Sequence, residues 1–327
     1  STAVTSAMRG VFRTDARTMQ EIDGYDWERL LYTLPVRDIP AAAGRDVPDF
    51  VNWVDNPDFG PHWTERNVLH RLDVVKVPAL HIGGWYDLYP AATLNLFNGM
   101  RERGGSAEAR ANQRVIIGPW IHAASTLTHA GDVDFGKDSV LDLPEIELAW
   151  FDHWLKGMDN GADREAPLKL FLTGSGEWRD ERKWPLARTQ FTPFCLRSDG
   201  NANSAAGDGA LSITKPSGAN TSGEPSDAYT YDPQFPVPTR GGGNCCDPHL
   251  VPWGAFDHRE VEARSDVLVY STEILESDVE VTGPVVLKLF ASTDGRDTDF
   301  TAKLVDVFPD GRAINLTDGI LRGRYRK

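Results

Sequence analysis

The stretch that decides the reading is HIGGWYDLYP, residues 81–90, together with its echo VIIGPWIHAAS at 115–125. Each is a short apolar run that enters glycine, then an aromatic, then a side chain able to carry a proton: Asp87 in the first, His122 in the second. Short apolar runs that stop at such signals read as buried strands. A group just past the carboxyl end of a buried parallel strand lies where open α/β sheets gather their ligands. Taken singly, Asp87 reads as a turn residue or cap before PAATLNLF, since Asp is favoured at helix starts. His122 alone reads as a hydrogen-bonded loop residue. Taken as a pair, they follow neighbouring strands, so both side chains can reach one crevice. A carboxylate that fixes an imidazole's tautomer and stabilises its charged form is two-thirds of a nucleophilic triad.

Outward from this pair, strands and helices alternate. KVPALHIGG and QRVIIGPW are buried strands, PAATLNLFNGMRERGG is an amphipathic helix with a glycine stop, PEIELAWFDHWLKGMDNG is a longer one ended by Gly157, and LKLFLTG is a further strand. That order predicts a parallel sheet covered on both faces. Residues 1–75 hold only short helical spacings, TMQEIDGYDWERLLYTL and FVNWV, broken by prolines. Beyond about residue 185 the chain turns rich in Gly, Ser and Asn. DVLVYST, VEVTGPVVLKLFAST and DFTAKLVDVF then alternate between turn residues, with no helical period. This last part reads as an all-β sandwich or jelly roll. The fold class is therefore α/β plus all-β, and no internal repeat is present.

At 327 residues the chain suits two or three domains, and 40% hydrophobic with 10% aromatic residues is enough to build cores. A net charge of −14 argues against nucleic acid or an anionic membrane as partner, since both require clustered positive charge. No apolar run approaches the roughly 18 residues of a membrane span. The three cysteines are Cys195, Cys245 and Cys246. Neighbouring cysteines rarely pair, so no disulfide framework is expected, which fits a reducing, cytoplasmic setting. No signal segment opens the chain, and its closing NLTDGILRGRYRK reads as a strand in mid-sheet. The sequence reads as a segment of a longer polypeptide.

An acid followed by a histidine in chain order fits α/β-hydrolases, whose nucleophile comes first, on a G-x-S-x-G elbow. No such elbow is present. TGSGEW at 173–178 has its glycines misplaced and follows the histidine, and Ser1, Thr5 and Ser6 have no preceding strand. A rival arrangement is the cluster His122, His129, Asp132 and Asp134, whose imidazoles and carboxylates are plausible zinc ligands for a metal-dependent hydrolase. Its spacing matches no regular helical or hairpin ligand set. His153 reads as a packed helix residue, and adjacent Asp257 and His258 point apart. Cys245 and Cys246 follow a run of glycines without a basic helix end and read as structural. A carbohydrate-binding β module without turnover is a further alternative.

The runs VPALHIGGWYDLYPAATLNLFNGM, VIIGPWIHA and ELAWFDHWLKGMDNG resemble the cocaine-esterase-like (CocE/NonD) serine hydrolases, relatives of Xaa-Pro dipeptidyl-peptidases, glutaryl acylases and α-amino-acid ester hydrolases. YDPQFPVPTRGGGNCC and the run from DVEVTGPVVLKLFAST to the end resemble the β-rich C-terminal domain of that family. The resemblance implies a helical cap tail at 1–75, the last part of an α/β-hydrolase core at 76–185, and a truncated jelly roll at 186–327. It implies Asp87 as the triad acid and His122 as its base. The serine elbow and the oxyanion tyrosine would lie outside this sequence, in an upstream core segment that the chain needs as partner. Trp85, Tyr86 and Trp120 would wall an acyl or alcohol pocket, or pack the sheet edge. The α-amino-acid ester hydrolases carry acids just after the triad Asp. Here Leu88, Tyr89 and Pro90 stand there, which argues against ammonium selection. The substrate is expected to be a small ester or amide, no cofactor is required, and a homo-oligomer is compatible with the reading.

Overall fold

The structure is a computed structural model that describes residues 20–21, 24–122, 125–214, 226–245 and 251–326. Ser1, Thr5, Ser6 and Cys246 lie outside the described residues.

Prolines organise the first part by opening helices. After α1 (Trp27–Leu31), α2 (Ile39–Ala42), α3 (Pro48–Asp55) and α4 (Pro61–Thr64) each carry proline in the first turn. At that position the missing N–H costs nothing and the fixed φ is already helical. Trp27, Leu30, Ile39, Val47 and Phe50 form a small core of their own.

The sheet follows. Its strands are β1 (Ala79–Tyr86), β2 (Gln113–Ile121), β5 (Leu168–Leu172) and β6 (Glu177–Glu181), in the order β1-β2-β5-β6. The first three are parallel and β6 is antiparallel. TGSGEW forms the β5–β6 turn, so Ser175 sits in a hairpin and on no nucleophile elbow. Helix α5 (Pro90–Arg103) crosses between β1 and β2 and is followed by α6 (Ala107–Ala111). Helix α7 (Leu143–Lys156) links β2 to β5. Its start is capped by Asp142, whose carboxylate accepts from the Glu145 N–H. Its end is Gly157 at φ 71°, a left-handed position glycine occupies without a Cβ penalty.

Strand β2 is covered on both faces because its alternate residues face different helices. Val115 and Ile117 pack with Leu94 and Phe97 of α5 and with Leu168 and Leu170. Ile116 packs with Trp120 and with Leu143 of α7. Each such side chain contributes about 1.5–3 kcal/mol on leaving water. His81 lies within this core at 8% exposure, its Nε2 2.9 Å from Gln113 Oε1. Burial outweighs that hydrogen bond and holds the His81 imidazole below its ordinary value. The unfolded chain therefore takes the proton first as pH falls, and stability is lost below the ordinary histidine value of 6.5. We expect urea-unfolding free energy to fall between pH 7 and pH 5. In His81→Leu that fall should be shallower by up to about 1.4 kcal/mol per pH unit, one proton's worth.

Among the described residues, the C-terminal part pairs its strands two at a time. Its sheets are hairpins: β7 (Cys195–Arg197) with β8 (Ala210–Ser212), and β9 (Asp299–Val307) with β10 (Ala313–Arg322). Residues 279–293, read from sequence as a strand, belong to no sheet, and Val285, Val286, Leu289 and Phe290 are exposed. Alternation marks a chain fit for a strand, but a strand also requires a partner for its N–H and C=O groups. Cysteine usage differs too: Cys245 is disulfide-bonded and buried, whereas Cys195 is a free thiol. Spacing along the chain does not fix the sulfur positions in a folded loop, which decide pairing.

The C-terminal part meets the sheet at the carboxyl ends of β1 and β2. Tyr86, Ala130, Ala255 and Ile314 share one core. Backbone bonds stitch 254–257 to the loop after β2: Ala255 N–H to Ala130 O, and Asp132 N–H to Ala255 O.

Candidate active site

Glycine brings the ends of the two parallel strands unusually close. Gly84 pairs with Gly118, and a Cβ on Gly84 would stand 2.2 Å from the Trp120 carbonyl oxygen. No other residue fits there without parting the strands. The register then slips. Gly84 faces Gly118 but Tyr86 faces Ile121, so β2 carries one extra residue across this step. Such a bulge bends a strand and re-aims the side chain beyond it, here His122. On β1 the chain turns sharply, with the Asp87 N–H donating to Gly84 O at 3.1 Å.

These two devices bring the acid and the imidazole together. His122 Nδ1 lies 3.0 Å from Asp87 Oδ2. Asp87 Oδ1 accepts from the Tyr89 N–H, also at 3.0 Å. An ionised carboxylate only accepts, so Nδ1 carries the proton and the acceptor lone pair is on Nε2. Asp87 is the more sheltered of the pair, with 15% of its side chain exposed against 37% for His122. The acid is thus held on two sides, and the imidazole is open enough to meet a reacting group. An arrangement of this kind can take a proton at Nε2 and stabilise the resulting imidazolium. The capping role that Asp87 alone invited is partly present, since its bond to the Tyr89 N–H tightens the entry to α5.

The aromatic residues of the two motifs have different places. Tyr86 is 2% exposed, and burial pushes its phenol upward. Its hydroxyl donates to Asn315 O at 3.4 Å. Trp120 is 3% exposed with its indole N–H on Ser139 O, and the Trp85 indole N–H donates to Phe171 O. All three direct their polar edge into the protein, and Tyr86 and Trp120 have no face left for a ligand. The aromatic that does border the pair is Tyr89, exposed, its ring edge-on to His122 with centroids 6.1 Å apart. Its signal in the sequence is an aromatic two residues beyond the acid.

The cluster His122, His129, Asp132 and Asp134 is not brought together. His122 is turned to Asp87. His129 and Asp134, both exposed, face each other at 3.6 Å across the hairpin β3 (His129–Ala130) and β4 (Val133–Asp134). Asp132 accepts from the Asp257 N–H. Among the described residues no group of three or more His, Cys, Asp or Glu is placed to hold a metal ion. The four residues thus fall into separate contacts, His122 with Asp87, His129 with Asp134 and Asp132 with the Asp257 N–H. His153 binds the Met158 carbonyl at the end of α7. Asp257 pairs with Arg259 while His258 is 1% exposed, so the two adjacent side chains do diverge. No helix among the described residues is long and apolar enough to cross a membrane.

Comparison with known proteins gives a consistent picture. Residues 10–124 match the family model of X-Pro dipeptidyl-peptidase (S15 family). Residues 160–327 match that of the X-Pro dipeptidyl-peptidase C-terminal non-catalytic domain. Cocaine esterase of Rhodococcus sp. (strain MB1 Bresler) is 42% identical over 288 residues, covering 87% of this chain and 48% of that protein. The fold is similar to that of an aminopeptidase from the marine sediment archaeon Thaumarchaeota archaeon, with a TM-score of 0.72 and 23% identity over 92% of this chain and 49% of that one. An α-amino-acid ester hydrolase gives a TM-score of 0.70 and 22% identity over 92% of this chain and 50% of that one. The chain spans about half the length of each of these relatives.

Proposed function

The chain belongs to the cocaine-esterase-like (CocE/NonD) hydrolases related to the X-Pro dipeptidyl-peptidases, and from that premise we propose that it carries the acid and base of a serine hydrolase acting on an ester or amide. The observation that carries this reading is the 3.0 Å contact between His122 Nδ1 and Asp87 Oδ2, made at the carboxyl ends of two adjacent parallel strands. The nucleophilic serine and the oxyanion donors belong to an upstream segment outside this sequence. The serine oxygen attacks the substrate carbonyl while its proton passes to His122 Nε2. Asp87 holds the ring and balances the charge that forms there. His122 then gives the proton to the leaving alcohol or amine. In the second half His122 takes a proton from water, which attacks the acyl-enzyme, and returns it to the serine as the acid product departs. The serine contributes covalent chemistry and the oxyanion donors contribute most of the charge stabilisation.

Residues 1–75 fit the tail of a cap, 76–185 the last part of the catalytic core, and 186–327 a β-rich module of jelly-roll type. The exposed apolar run at 285–290 supports a larger sheet for that module. On this reading the chain alone lacks nucleophile and oxyanion hole together. The expected result is no hydrolysis of nitrophenyl acetate or butyrate above background by the purified chain. Joining the upstream segment should give turnover and labelling by a fluorophosphonate. Rapid hydrolysis by the chain alone, lost in His122→Ala, would overturn the proposal.

A further inference from the structure

The C-terminal half, whose family model is described as non-catalytic, touches the acid of the pair directly. The contact is made by the glycine run 241–243. Gly242 and Gly254 exchange two backbone hydrogen bonds, N–H to O at 2.7 and 3.1 Å, which fix the run against the 254–257 segment. Asn244 closes the turn, its side-chain amide donating to Gly241 O at 2.8 Å. One residue further on, Cys245 is buried and disulfide-bonded. The Gly242–Gly254 bonds and the Asn244 amide hold the loop, and its last glycine lies against Asp87. A Cβ on Gly243 would stand 2.6 Å from the Asp87 carbonyl oxygen.

Conformational freedom does not explain this glycine. Gly241 and Gly242 have φ of 67° and 84°, whereas Gly243 is not among the positive-φ glycines. A side chain is excluded at 243 because Asp87 occupies the space. On the other side Asp87 is tied by its N–H to Gly84 O and by its carboxylate to His122 and the Tyr89 N–H. Gly243 closes the remaining side, at the carbonyl.

We infer that Gly243 is a positioning residue: its bare backbone is the stop against which the Asp87 turn rests, setting where the carboxylate meets His122. The inference rests on Asp87 and His122 being the acid and base proposed above. Alanine at 243 requires the loop or the Asp87 carbonyl to yield by about 0.8 Å, the difference between 2.6 Å and the 3.4 Å of ordinary contact. A misplacement near 1 Å can cost about a hundredfold in turnover. The inference goes beyond the shared core of Tyr86 and Ile314, because it assigns a contact to the acid itself.

The test is proton NMR of the chain as it stands, reading the low-field resonance of the His122 Nδ1 proton held by Asp87. Wild type should show it, and Asp87→Asn should remove it. In Gly243→Ala the resonance should be lost or shifted. Asn244→Ala loosens the turn without adding an atom, and keeps the test decisive if Gly243→Ala does not fold. There the proton should exchange faster with solvent than in wild type. Wild-type behaviour in both Gly243→Ala and Asn244→Ala would overturn the inference and leave the acid–base pair intact. Absence of the resonance from wild type itself would instead sink the reading of the pair.

Discussion

Asp87→Asn, introduced into the chain joined to its upstream segment, is expected to lower kcat by about four orders of magnitude with little change in unfolding temperature. The substitution is nearly isosteric and keeps an acceptor for the Tyr89 N–H, so the turn into α5 survives. What it removes is charge and tautomer control. The amide offers either an oxygen or an N–H to His122 Nδ1 and carries no charge to balance an imidazolium. In the orientation that presents the N–H, the ring keeps its proton on Nε2, the nitrogen that must accept one from the nucleophile. KM should move far less than kcat, because the acid touches the base and not the substrate. A kcat within tenfold of wild type would show that some other group orients His122.

Phe97→Ala should have its large effect on the fold instead. Phe97 is fully buried on α5, packed with Leu94, Val115, Ile117, Leu168 and Leu170. Its ring also lies edge-on to His81 at 6.2 Å and under the Arg101 guanidinium at 5.2 Å. Truncation empties the space between α5 and the sheet, at a cost of about 3–5 kcal/mol. That is a large share of the 5–15 kcal/mol by which most domains are stable, and it should lower the melting temperature by on the order of 10 °C. Differential scanning calorimetry reads it directly. A shift of only a degree or two would mean that the α5 face is not the core of this sheet. Asp87→Asn and Phe97→Ala thus separate two properties carried by neighbouring segments: the chemistry at the strand ends and the packing behind them.

The parts of the structure legible in the sequence are those decided by neighbours along the chain. β1, β2, α5 and α7 were readable because apolar period, capping Asp142 and terminal Gly157 agree locally. The meeting of Asp87 and His122 was readable because two similar frames imply two adjacent strands. The illegible parts depend on partners distant in sequence. Residues 279–293 alternate as a strand does, yet pairing is decided by what lies beside them. Trp120 keeps the face of Ile116, as alternation along β2 gives, but that its indole folds over Gly118 to reach Ser139 depends on a glycine neighbour and a distant carbonyl. Cys245 shows the same limit, since its bond depends on loop geometry that spacing does not encode. Gly243 reads as one more glycine in a flexible run until Asp87 is seen against it.

The hydrogen bond from Tyr86 to Asn315 joins residues 229 apart in the chain. A ribosome adding about 5–20 residues per second needs roughly 10 to 50 s to make that interval. For the greater part of it, once His122 has been made, the strands bearing Asp87 and His122 are able to pair while the segment that holds Asn315 does not yet exist. A nascent chain therefore holds its acid and base for tens of seconds before the segment that packs behind Tyr86 is made, a delay written into the order of the polypeptide.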